Sequence, residues 1–218
     1  MQNIRVPEAT LTEGALRSLS PARLDALKEV ANIGAGHAAT ALSLLTGARI
    51  MIEVPTVNVG QLSELMPTIA SPEALLVSVM MDMGGSLNGQ TLLALPLVTG
   101  HRLADLLLRR ERRGGEDYFD RLEESALKEA GNILGGAYMT ALSEFLEMQL
   151  MPSPPRLRIA TASQILEDCN PSPSADFAVC CVETEFSFEE IGDRFRGFFL
   201  LLPDPDSFSA IFRAVRLE

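Results

Sequence analysis

A carboxylate and a carboxamide three residues apart occur twice in this chain, one hundred positions from each other: Glu29 with Asn32, and Glu129 with Asn132. Four residues ahead of each Glu stands a short polar residue, Asp25 in one stretch and Ser125 in the other. On a helix these positions are i, i+4 and i+7, so each trio shares one face. A carboxamide accepts one hydrogen bond while donating another, and a carboxylate meets a cation. No serine–histidine pair, reactive thiol or histidine cluster accompanies the trios. Glu and Asn are not equipped for covalent chemistry on their own, but they can complete an active site that another protein brings.

The elements that carry the trios form an internal repeat. Residues 21–55 align with 121–155 without a gap, and 13 of the 35 positions are identical. Among them are Ala26/Ala126, Leu27/Leu127, Lys28/Lys128, Ile33/Ile133, Gly36/Gly136, the runs Thr40-Ala-Leu-Ser43 and Thr140-Ala-Leu-Ser143, and Pro55/Pro155. Such a repeat is one ancestral unit used twice. Leu24, Leu27, Val30, Ala31, Ala38, Leu42 and Leu45 supply the apolar remainder of the first helix. A solvated polar stripe drifts, whereas this one keeps Glu and Asn in register in both copies.

The double pattern Asp/Ser-x3-Glu-x2-Asn with a following Pro resembles the CheC phosphatases of bacterial and archaeal chemotaxis. It fits at Asp25, Glu29, Asn32 and Pro55, and again at Ser125, Glu129, Asn132 and Pro155. The surrounding Asn32-Ile-Gly-Ala-Gly-His-Ala-Ala-Thr40 and Asn132-Ile-Leu-Gly-Gly136 are similar to the family too, and the likeness covers nearly the whole chain after about residue 20. The related CheX keeps one motif per chain, and the switch domain that FliY-type relatives append is not expected here. The resemblance implies an aspartyl-phosphate phosphatase acting on a CheY-like response regulator. Asn32 and Asn132 would orient the attacking water, and Glu29 and Glu129 would meet the receiver's lysine. Asp25 and Ser125 would support these contacts, and Pro55 and Pro155 would be structural, placing the strand end beside the helix. No cofactor of the chain's own is implied, the Mg²⁺ being supplied by the phosphorylated receiver. The receptor deamidase CheD is a further candidate partner. Two other readings stand beside this one: a non-catalytic adaptor or CheD-binding regulator that docks receivers through the same face, and a structural subunit of a motor switch.

Composition agrees with a globular protein: 47% hydrophobic and 22% charged residues. The net charge of −11 repels phosphate backbones and argues against nucleic acid as a partner. Cys169, Cys180 and Cys181 offer neither a metal-ligand spacing nor a disulfide framework. No apolar run approaches the ~18 residues of a membrane span, and residues 1–20 lack the pattern of a signal peptide. The expected location is cytoplasmic.

Taken in order, residues 1–20 read as an N-terminal tail and 21–218 as one domain, with repeat one about 21–113 and repeat two about 117–218. Ser20-Pro21 is a helix start and Gly47 a helix stop, giving a helix over 21–45. A strand over Arg49–Val54 should end at Pro55, followed by a loop over 58–73 holding a short helix at 61–65. Leu75–Met81 and Leu87–Leu95 should form a hairpin about Gly84-Gly85-Ser86, and His101–Arg110 a helix. The basic run Arg109–Arg113 reads as a solvated helix end. The second unit repeats the order: a helix over 117–146, a strand over Arg156–Ala160, a loop holding Gln164–Glu167, strands over Phe177–Phe186 and Arg194–Leu202, and a helix over Ser207–Val215. The expected fold is α+β: one pseudo-two-fold domain of two helix–strand–loop–hairpin–helix repeats sharing an antiparallel sheet, with the long motif helices exposed on one side. Gly34-x-Gly36-x-x-Ala39 spells a dinucleotide fingerprint, but it falls inside a helix rather than between strand and helix. These glycines are expected to let the helix lie close on the sheet. His37 aligns with Ala137 and reads as a surface residue, and Met80, Met81 and Met83 read as core.

Overall fold

The computed structural model describes residues 20–110, 118–169, 178–188 and 193–214. The first repeat contains α1 (Pro21–Thr46), β1 (Ile50–Ile52), β2 (Thr56–Gln61), α2 (Leu62–Ile69), β3 (Leu75–Gly85), β4 (Gly89–Pro96) and α3 (Leu97–Leu107). The second contains α4 (Arg121–Leu146), β5 (Leu150–Pro152), β6 (Arg156–Thr161), α5 (Ala162–Cys169), β7 (Ala178–Phe188), β8 (Asp193–Pro203) and α6 (Pro205–Ala214). The expected tail over 1–19 lies outside the described residues.

Among the described residues eight strands make one antiparallel sheet in the order β1-β7-β8-β4-β3-β5, with β2 also beside β7 and β6 also beside β3. Exchanging each strand for its counterpart reverses this order onto itself, which is the pseudo-two-fold. The halves trade strands: β1 and β2 pair with the second repeat's hairpin, and β5 and β6 with the first repeat's. The central pair β4–β8 runs from Gly89 against Pro203 to Ala94 against Phe198.

Alternation along the strands separates two layers. Val77, Val79, Cys180 and Val182 face the long helices α1 and α4, with Leu27, Ala31, Leu127 and Leu134. Leu76, Met80, Val179 and Cys181 face the short helices α2 and α5, with Leu62, Met66 and Ile165. Met80, Met81 and Met83 are buried, as expected of core residues.

Several expectations are corrected. The loop expected over 58–73 begins as a strand, since Val57 and Val59 alternate inward and β2 zips against Ala178–Glu183, whereas the short helix expected within it is present as α2. Likewise Gln164–Glu167 belong to the helix α5, whose Ala162, Ile165 and Cys169 recur at i, i+3 and i+7 and are all buried. The strand before Pro155 was not anticipated either. At both prolines one residue is extra. Glu53, Val54 and Pro55 stand against only Thr184 and Glu185, and Ser153, Pro154 and Pro155 against only Met81 and Asp82. These are β-bulges, a place where sheets tolerate proline because the ladder is already interrupted.

The second bulge is riveted by Asp82. Arg156 reaches its two carboxylate oxygens at 2.8 and 3.0 Å, Gln90 donates to it at 3.1 Å, and the Ser153 hydroxyl accepts from the Asp82 amide at 2.8 Å. The Arg156 hydrogen bonds hold the Asp82 carboxyl below the usual carboxylate range. At the first bulge Arg194 pairs with Glu53 at 3.1 Å and Glu185 at 3.5 Å.

Arg109 is exposed just past the end of α3, as a solvated helix end requires, and Arg110 is half-buried, but both also make specific contacts. Arg109 donates to the Thr46 carbonyl through Nε at 3.1 Å and Nη2 at 2.7 Å, completing the C-terminus of α1. Arg110 pairs at 3.0 Å with Asp120, the N-cap of α4. Two adjacent cations thus fasten the end of one motif helix and the start of the other, and one meets the negative end of a helix dipole. The rest of the run, 111–113, lies outside the described residues.

Candidate functional site: two exposed stripes on paired helices

Each motif helix is set by its caps. Ser20 accepts from the Arg23 amide with Pro21 in the first turn, and Gly47 closes α1 at φ 65°. Asp120 caps α4 in a capping box with Glu123, and Glu147 ends it at φ 53°. At the lower end Ser43 ties α1 to the sheet: its hydroxyl accepts from the Ile50 amide at 3.0 Å and donates to the Ile50 carbonyl. Its counterpart Ser143 bonds the Met148 carbonyl. The hydroxyl shared by the repeats therefore fixes each helix to the turn that follows it.

The two helices pack side by side over one face of the sheet. They approach closely at Gly34, where a Cβ would sit 2.5 Å from Tyr138 Cδ1. Tyr138 is buried, stacks on Phe199 at 4.4 Å, and bonds Thr184 through its hydroxyl at 3.2 Å. A void of ≈ 30 Å³ beneath both helices is lined by apolar groups including Leu27, Val30, Tyr138, Leu142, Cys180 and Phe199. It lies on the buried faces, opposite the polar stripes.

Asp25, Glu29 and Asn32 are all exposed on α1, and Ser125, Glu129 and Asn132 are all exposed on α4. Their neighbours Ala26, Leu27, Val30, Ala31, Leu127, Ala130 and Gly131 are buried. Each trio is thus a continuous outward stripe on a helix held firmly from below. The trios are two separate stripes, one per helix. Pro55 and Pro155 are not on them but at the bulges of the sheet, where Pro55 is buried and Pro155 half-buried. His37 is exposed, as expected.

Two features of the stripes escaped the sequence reading. Lys28 pairs with Asp25 at 3.1 Å, so the acidic side chains of α1 are not left to repel one another; the i, i+3 spacing carried that signal. The glycines are the second. Gly34 meets the partner helix rather than the sheet, and Gly36 meets nothing, with open space where a Cβ would stand. The glycines that approach the sheet are Gly131 against Val79 and Gly135 against Met81. Among the described residues no group of acidic, histidine and cysteine side chains could hold a metal ion, and no helix is long and apolar enough to cross a membrane.

The architecture defines an α+β protein whose paired helices each present Glu and Asn outward, one turn apart, from a two-fold sheet. The sequence pattern of the CheC-like family matches residues 23–59 and 122–159, the stretches that run from each motif helix past its bulge proline. The chain is 30% identical over 201 residues to the CheY-P phosphatase CheC of Bacillus subtilis (strain 168), covering 88% of this chain and 93% of that one. It is 27% identical over 146 residues to the flagellar motor switch phosphatase FliY of the same organism, covering 67% of this chain and 38% of that one. Among solved structures it is similar to Thermotoga maritima FliY, with a TM-score of 0.73 at 25% identity over 91% of this chain and 98% of that one. The chain belongs to the CheC-like family.

Proposed function

We propose that this chain hydrolyses the aspartyl phosphate of a CheY-like receiver domain in the cytoplasm. The observation that carries the reading is the outward exposure of Glu and Asn, in register, on both motif helices. A residue kept only for the fold has no reason to face solvent at the same two positions of both copies. The relatives named as CheY-P phosphatases support the same reading.

An aspartyl phosphate is a reactive acyl phosphate, and its transfer needs positioning and charge stabilisation more than bond-making by the protein. The receiver brings the phosphoryl group, its lysine and Mg²⁺. Asn32 or Asn132 accepts a hydrogen bond from water and donates one to a phosphoryl oxygen, fixing the water in line with phosphorus. Glu29 or Glu129, one turn back, pairs with the receiver lysine and sets the register. The water oxygen bonds to phosphorus, the bond to the aspartyl oxygen breaks, and the carboxylate leaves while a proton passes to solvent. No covalent intermediate forms on this chain.

The test is release of phosphate from a phosphorylated CheY-like receiver with Mg²⁺, with and without the chain. Acceleration is expected, with partial activity in Asn32→Ala or Asn132→Ala because the stripes lie on separate helices. No acceleration of any receiver from the same organism would favour the adaptor reading.

A further inference from the structure

Glycine occurs in the motif helices for two different reasons. At Gly34 and Gly131 a Cβ would press into Tyr138 and Val79, so packing disfavours anything larger, and at Gly135 it would meet the flexible end of Met81. At Gly36 and Gly136 a Cβ would meet nothing within 4 Å. Neither has a positive φ. The fold has room for a Cβ there, and glycine is the least favourable choice short of proline in a helix interior. Both repeats nevertheless carry it at the same position.

That position is four residues beyond the Asn, on the same stripe. Helical side chains lean toward the N-terminus, so a residue at 36 would cover the turn that holds Asn32, and one at 136 the turn that holds Asn132. Glycine leaves that flank of the carboxamide bare. In α1 the Gly36 carbonyl already accepts from the Thr40 hydroxyl at 2.9 Å. What the missing side chain offers is therefore clearance rather than a free acceptor.

We propose that Gly36 and Gly136 are seats for the phosphorylated loop of the receiver, which lies directly on helix backbone there, and that their bareness sets how near the phosphoryl group comes to Asn32 and Asn132. The inference rests on the phosphatase reading above and adds to it a positioning residue in each site. Ala at these positions would intrude slightly, and Leu would lie over the carboxamide.

The test uses the full chain as wild type, as Gly36→Ala with Gly136→Ala, and as Gly36→Leu with Gly136→Leu. Thermal melts and steady-state hydrolysis of a phosphorylated receiver are read side by side. Both variants should melt a few degrees higher, on the order of 2–4 °C or more, since a helix-disfavouring residue has been removed without a clash. The Leu pair should lose at least ~10-fold in kcat/KM, and the Ala pair less, in order of size. Wild-type turnover in the same assay reports on the phosphatase reading itself, and its absence would overturn both. Wild-type turnover together with an unchanged kcat/KM in the Leu pair would overturn the seat alone. A lower melting temperature in the Ala pair would overturn it too.

Discussion

Gly34 of α1 and Tyr138 of α4 meet between the two motif helices, and the equivalent positions reverse the sizes: Leu134 stands for Gly34 and Ala38 for Tyr138, with Ala38, Leu134 and Tyr138 in one core and Gly34 buried beside it. The repeat is therefore not a strict copy at its own interface. A ring on one helix fills the space that a missing side chain on the other leaves. Because Tyr138 is also anchored to Thr184 and Phe199, it cannot retreat without breaking those contacts.

Gly34→Ala should consequently destabilise the fold. The added methyl would meet both the ring and the backbone of Tyr138, whose Cα lies 3.1 Å away. Overpacking of this kind costs roughly 1–3 kcal/mol. For a chain of this size each kcal/mol is worth about 2–4 °C in melting temperature. Calorimetry checks it. Gly36→Ala, two residues on, should move the melt the opposite way, which makes the pair a sharp contrast within one helix.

Arg109 provides a second check on how the motif helices are held. Arg109→Ala removes both guanidinium donors from the Thr46 carbonyl, and a hydrogen bond to a charged group is worth about 1.5–3 kcal/mol. Arg109→Lys keeps the charge but loses the two-pronged geometry and should recover only part of the loss. Urea denaturation measures both variants. Equal stability of all three would show that the contact does not contribute.

The thiols give a prediction in pH. Burial pushes Cys169 up to about 11 and Cys180 and Cys181 to about 12. The thiolate is the reactive form, so none of the three should react readily with a disulfide reagent at pH 8 in the native protein, and all three should in denaturant. The same shifts act on stability. The unfolded chain gives up its thiol protons near the ordinary value of 9.0 while the native chain keeps them, so this contribution declines as pH climbs from about 9 through about 11–12. Rapid labelling of the native protein would contradict the burial.

The capped helices, the hairpins and the strands β1 and β6 are legible in the sequence, and β2, β5 and the short helix α5 are not. Ser20-Pro21 and Gly47 mark α1 within a residue of its observed ends because caps are local chemistry. The hairpins follow from alternation and glycine. β2 was not legible because its pairing strand lies more than a hundred residues on, and because Pro55 followed by Gly60 imitates a loop. The bulge that keeps Pro55 inside a paired segment is a property of two strands together, not of one. For the stripes, spacing alone put Asp25, Glu29 and Asn32 on one face, and their exposure on α1 agrees. What spacing could not distinguish is Gly34 from Gly36. One faces a ring contributed by the other repeat and the other faces open space, and only the packed structure separates them.

On the proposed function, Asn32 and Asn132 are present for chemistry and not for the fold. Asn is less favourable than Ala inside a helix by up to about 0.7 kcal/mol, and both residues are exposed. Losing a group that positions water is a different matter, since misplacement by ~1 Å can cost ~10²-fold in rate. The direct measurement is the full chain carrying Asn32→Ala and Asn132→Ala together, assayed for hydrolysis of a phosphorylated receiver and melted in the same buffer. The expected result is a melting temperature equal to or above wild type, retained binding of the phosphorylated receiver, and phosphatase activity reduced on the order of 10²-fold or more. A clear drop in melting temperature, or activity kept at the wild-type rate, would contradict it.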